Sequence, residues 1–159
     1  MVGFTYDFNN NAVKTRSNLG SYMALSDGSL YETNISTFFA DAMFKYKGFA
    51  FMGEYANRDA SAPVAVNLDG TEAGSIVTVG NALNVQASYL FKSNYELTTR
   101  YATINYDAIT GNDTQAQYTL GVSKYVVGHS LKIQADVSYG TLDGTQDNVL
   151  FRTGFDLHF

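Results

Sequence analysis

The chain has 159 residues, among them 12 Tyr and 11 Phe, with no Cys, no Trp, one Pro, 16% charged residues and a formal charge of −5. That length suits one domain over 1–159, and the absence of Cys excludes a disulfide framework or a thiolate metal site. Two His argue against a His-rich metal site, and ten Lys plus Arg against fifteen Asp plus Glu, with no basic block, leave nothing to neutralise a nucleic acid.

No stretch approaches the roughly 18 to 20 apolar residues of a spanning helix. The opening MVGFTYDFNNN is too polar and aromatic for a signal peptide, so any export signal is expected to lie outside this sequence. The apolar residues instead alternate, the mark of strands with two different faces. In chain order the predicted strands are 2–9, 33–46, 49–59, 81–91, 95–106, 116–127, 130–142 and 148–159. The last is the clearest: Val149, Phe151, Thr153, Phe155, Leu157 and Phe159 share one face, and Leu150, Arg152, Gly154, Asp156 and His158 the other. Most segments exceed the five or six residues usual for a soluble strand and match the roughly 9 to 11 that a tilted strand needs to cross a membrane.

The connections alternate in kind. Lys47-Gly48, Lys92-Ser93-Asn94 and Gly128-His129 have hairpin-turn compositions, whereas 10–32, 60–80, 107–115 and 143–147 are longer or more polar. In an antiparallel meander, alternate connections emerge at the same end. One end therefore has tight turns, with Lys47, Lys92 and His129, and the other has acidic loops, with Asp27, Asp69, Glu72 and Asp113 among their acids. Outer-membrane barrels have this asymmetry, with short periplasmic turns and long external loops.

An apolar face can point into a soluble core or into lipid. Three features favour lipid: the other face is rich in Ser, Thr, Gln, Asn and Gly, its charges sit mid-strand, and aromatics gather near the turn end as a girdle would. Those aromatics are Phe44, Tyr46, Phe49, Phe51, Tyr89, Phe91, Tyr95, Phe155 and Phe159. Lys124 is the exception on the apolar face, three residues from a turn and able to snorkel. The expected fold is thus an all-β, transmembrane, antiparallel up-and-down β-barrel with eight strands in this chain. Its setting is the outer membrane of a Gram-negative bacterium, loops external and C-terminus periplasmic, among lipopolysaccharide and other outer-membrane lipid. The alternating last strand ending in Phe159 reads as the signal that the barrel-assembly machinery recognises.

The stretches FFADAMFKYKGFAFMGEYANRDA (38–60) and GNALNVQASYLFKSNYELTTRYATI (80–104) resemble the C-terminal half of the phosphate-selective porin O and P family, in its Bacteroidetes-type versions. QYTLGVSKYVVGHSLKIQADVSYGTLD (117–143) and the ending FRTGFDLHF extend the resemblance to the last residue. The resemblance implies half of a 16-stranded porin barrel, a homotrimer, and passive diffusion of small solutes and anions, phosphate included. It brings no phosphate-binding residue, because the family's constricting loop and much of its basic ladder belong to the other half.

The polar faces carry Asp41 and Lys45, Glu54 and Arg58, Glu96 and Arg100, Lys132 and Asp136, and Arg152 and Asp156. Each pair is four residues apart, about 13 Å along a strand, so partners must come from neighbouring strands. Asp41, Glu54, Arg100 and Asp136 stand at similar heights above the turn end, with Arg152 nearby, and predict a mid-height belt of mixed sign. Such a belt fits an aqueous pore wall; it equally fits a salt-bridged plug in a narrow eight-stranded barrel acting as a structural or adhesion protein. His158, Asp156 and Ser138 recommend no enzyme, since no activated-nucleophile motif surrounds any Ser. Asp107, Asp113, Asp143 and Asp147 form no twelve-residue calcium loop and read as solvated charge. No metal or cofactor is expected.

Overall fold

A computed structural model describes residues 1–127 and 130–158. The expected turn at Gly128-His129 and the terminal Phe159 lie outside the described residues. The strands are β1 (Val2–Ala12), β2 (Lys14–Arg16), β3 (Leu19–Tyr22), β4 (Thr33–Tyr46), β5 (Phe49–Ala60) and β6 (Val64–Val66). They continue as β7 (Glu72–Ile76), β8 (Gly80–Leu90), β9 (Tyr95–Tyr106), β10 (Gln115–Tyr125), β11 (Leu131–Leu142) and β12 (Thr145–Leu157). Eight of them form one antiparallel sheet in the order β1-β4-β5-β8-β9-β10-β11-β12. This is the predicted eight-stranded meander. β2-β3 and β6-β7 are two small separate hairpins. Among the described residues β1 and β12 do not pair with each other, so each is an edge.

Three boundaries differ from the sequence reading. β1 runs on through the polar Asn9-Asn10-Asn11 to Ala12, because a bulge with Asn11 at φ 54° lets the strand continue past the end of the alternation. The predicted loop 143–147 is a two-residue turn, Asp143-Gly144, both at positive φ (47° and 75°). Both turn residues are therefore left-handed, as a type I′ hairpin demands and as Asp-Gly tolerates. The long connections 13–32 and 61–79 are not open loops but fold into the β2-β3 and β6-β7 hairpins. Their strands of three to five residues are too short to show a period. Lys47-Gly48, at φ 46° and 89°, is the expected tight turn.

The sheet has two unlike faces. Along one lie Phe4, Phe38, Phe44, Phe51, Leu97 and Phe155, all exposed, with Phe155 at 80%. Along the other lie the predicted charges, and the sheet's concavities, of about 150 to 440 Å³, open on that side. The polar face is the concave one. Accessible surface totals 10327 Å², against roughly 7,900 Å² expected for a globular monomer of 17.4 kDa. The buried apolar residues, Ala12, Met23, Ile35, Ala65, Val77 and Val79, cluster at the loop end and not between layers.

Stagger fixes the slope of the strands. The row of directly opposed residues stands five residues above the turn end at Asp41 of β4 and nine above it at Gly140 of β11. A climb of four residues over the five steps from β4 to β11, at about 3.3 Å per residue and about 4.8 Å per step, slopes the strands by roughly 30°.

Candidate functional site: a charged concave wall

All ten predicted charges fall on the concave face, placed there by the two-residue period of β4, β5, β9, β11 and β12. At mid-height they fall into two groups. Asp41 and Glu54 are directly opposed across β4 and β5, and Glu54 continues to Asn84 on β8, whose Nδ2 donates to Glu54 Oε2 at 2.9 Å. Directly opposed like charges disfavour each other, so water on the concave side must solvate this pair. Gly3 of β1 stands opposite Asp41, and a Cβ there would collide with the Asp41 carboxylate.

Arg100, Lys132 and Arg152 lie on β9, β11 and β12. Glu96, Arg100, Lys132, Asp136 and Arg152 line one groove of about 230 Å³, with Gln86, Thr98, Thr119, Ser123 and Gln134 supplying amides and hydroxyls between them. Gly121 leaves room in its floor, since a Cβ would lie 3.3 Å from Asp136 Cβ. Arg152 and Asp136, opposed across β11 and β12, form an ion pair at 2.8 Å in which both Nε and Nη2 donate to Asp136 Oδ1. Arg100 Nη2 donates to Gln117 Oε1 at 2.7 Å, while its buried Nε has no hydrogen-bond partner among the described residues. Tyr125 donates to Glu96 Oε2 at 2.7 Å, and the Lys132 ammonium lies 5.4 Å from the Tyr125 ring centre. The lining holds three cations and two carboxylates, and Asp156 directly opposite Lys132 supplies a third carboxylate just beyond it.

The remaining charges stand apart from this groove. Lys45 shares a second concavity with Ser88 and Glu96, and Asp156 opposes Lys132 near the turn end. Arg58 lies near the loop end, where its Nε donates to Thr37 Oγ1 at 3.1 Å. At mid-height the expected belt is thus divided, Asp41 and Glu54 on β4-β5 and Arg100, Asp136 and Arg152 on β9 to β12, while over their whole length both groups of strands balance acids and bases among these ten charges. Side-chain hydrogen bonds of this face join neighbouring strands, as in Glu54–Asn84, Arg100–Gln117, Thr119–Ser138 and Arg152–Asp136. No side-chain hydrogen bond described crosses the concavity to a distant strand.

The convex face holds the predicted aromatics. Tyr46, Phe49 and Tyr89 are opposed in one row, and Phe44 opposes Phe51. Tyr95, Phe155 and Phe91 are exposed, the last packed on Tyr89 at 4.9 Å just beyond β8. Lys124 is turned toward the turn, donating to Ser93 O at 2.7 Å and lying 3.9 Å from the Tyr95 ring centre. The sequence reading missed a second set, Tyr101, Tyr118 and Tyr139, directly opposed across β9 to β11 with ring centres 4.9 and 6.4 Å apart. Tyr101 is six residues, about 20 Å, above Tyr95 on the same strand; its apolar-face position was the available signal.

The hydrolase candidates are not brought together. Ser138 is bonded to Thr119 Oγ1 at 2.8 Å, whereas His158 sits level with Ser130, eight residues or about 26 Å down β11. Among the described residues no group of three or more His, Asp or Glu could hold a metal ion. Comparison of the chain with protein-family models, curated proteins and solved structures found no match.

Proposed function

We propose that this chain forms the wall of an outer-membrane diffusion channel, through which small hydrated solutes, anions included, pass along the charged concave face. The observation that carries the reading is the division between the two faces. The convex face exposes Phe, Tyr and Leu, an apolar surface that suits lipid, with aromatics gathered near the turn end and in the Tyr101, Tyr118 and Tyr139 row. The concave face presents charges whose hydrogen bonds run to neighbouring strands, with Lys45 of β4 and Glu96 of β9 attracting each other near the turn end, and the open concavities between them suit a wall beside water. The resemblance of 38–60, 80–104 and 117–143 to the C-terminal half of the phosphate-selective porin O and P family supports the same reading and suggests a half-barrel assembled as a trimer. Loops then face outward among lipopolysaccharide, and the C-terminal strand is the element offered to the assembly machinery.

A specific observation favours a second reading, an eight-stranded barrel closed within this chain. Among the described residues β1 and β12 are the two unpaired edges of one eight-stranded sheet, and joining them with an even shift, of about ten residues, keeps polar residues opposite polar ones. The test of the channel is conductance of the refolded chain in a planar bilayer, with the reversal potential read in a salt gradient. Stable open steps are expected, with a weak ion preference because acids and bases are nearly balanced. Silence from a verified folded barrel would overturn the channel.

A further inference from the structure

We propose that the connections 13–32 and 61–79 act as one folded cover on the concave face and set the width of the path beside it, an inference that rests on the channel reading. Alternation along β4 places Ile35 on the face of Asp41 and Lys45, where a water-lined wall would leave it wet. Ile35 is nevertheless completely buried, and Thr37, next on that face, is 3% exposed. The residues clustered with Ile35 come from the two connections: Met23 from the first, Ala65 and Val77 from the second.

Polar anchors lie on the same face. Asn9, which opposes Ile35, donates to Ser17 Oγ at 2.8 Å and Asn18 Oδ1 at 3.1 Å, tying the first connection across β1. The bulge at Asn11 brings Ala12 opposite Thr33 and so into the cluster. Thr33 Oγ1 accepts from the Ala62 amide at 3.2 Å, holding the start of the second connection against β4. The connections are then fastened to each other, Thr78 N to Thr15 O and Ser26 N to Asn67 Oδ1, both at 2.9 Å. A fringe of loops at a channel mouth needs neither a core of its own nor anchors on the wall. The cover closes the loop end of β1, β4 and β5 and leaves the groove on β9 to β12 open, so solutes are directed past Arg100, Lys132 and Arg152.

The chain contains no Cys, so single cysteines report exposure cleanly. Thr37→Cys lies under the cover, and Ser88→Cys, on the same face outside it, is the control. With the chain refolded in lipid vesicles, a membrane-impermeant maleimide should label Thr37→Cys at least about tenfold more slowly than Ser88→Cys. Adding Met23→Asp, or replacing 64–76 by a short Gly linker should the first variant not fold, should abolish the difference and raise single-channel conductance about twofold. Equal labelling in the otherwise unchanged chain overturns the cover. Released labelling with unchanged conductance overturns the width-setting role. Silent channels in every variant, with protection and release as expected, sink the channel and the width-setting role together and leave the cover standing.

Discussion

At the scale of single residues, the wall's charges are the levers on ion preference. Asp136→Asn removes a carboxylate from the groove, so the reversal potential should move toward anions, and Arg152→Gln should move it toward cations. Neither should cost more than about 1 kcal/mol of stability, because the pair is half-open to water, with the Arg152 side chain 48% exposed. A denaturant titration showing a loss of several kcal/mol would mean that the pair is structural. Gly80 behaves differently. Its φ is 140°, and a Cβ would run into Asn105 O and Tyr106 Cα of the adjacent strand, backbone atoms that cannot rotate away. Gly80→Ala should therefore destabilise by about 1 to 3 kcal/mol, read as a lower urea midpoint.

At the scale of elements, two turns of the cover share one device, the turn inside the Ala24–Leu30 bridge and the tip of the β6-β7 hairpin. Asp27 Oδ1 accepts from the hydroxyl and amide of Ser29, and Asp69 Oδ1 accepts from those of Thr71. These hydrogen bonds hold both carboxyls below their ordinary value, the hydroxyl contributing most. A depressed folded value means stabilisation that is present above the unfolded carboxyl's range and lost as the pH falls through the folded values. Labelling of Thr37→Cys relative to Ser88→Cys, read with a pyridyl disulfide that stays reactive toward thiols in acid, should therefore rise on acidification below about pH 4, and Asp27→Ala with Asp69→Ala should remove that dependence. The eight sheet strands were legible because their faces alternate; the cover was not. Its strands are too short for a period, and Met23, Ala65 and Val77 sit in short apolar runs with no alternation to mark a buried face. Ile35 is an apolar residue at a polar-face position, but so are the exposed Phe39 and Met43 of the same strand, so burial of Ile35 alone was not readable. Asp143-Gly144 carried its hairpin signature openly, but Gln146, Asp147 and Asn148 hid the start of β12 by supplying no apolar residue. The charges of the wall were legible by parity, whereas their mid-height division depends on which strand pairs with which.

At the scale of the molecule, the open question of shape becomes one of register between β1 and β12. Closure with a shift of ten residues brings Thr5 opposite Asp156, both on the polar face. Thr5→Cys with Asp156→Cys, oxidised in detergent, should give an internal crosslink for an eight-stranded barrel. A covalent dimer would mean that two chains share the wall, and the absence of both would mean that other strands occupy the edges. Gel mobility separates the three.

The meander has a further consequence. Every strand of the large sheet pairs only with neighbours along the chain, and the cover draws on residues 12–79 while the charged groove draws mainly on 96–152. The turn at Lys92-Ser93-Asn94 divides the two. The filter and the charged lining are thus separate inheritances: a crossover of genes at that turn exchanges one without rewriting the other, and size limit and ion preference can evolve independently.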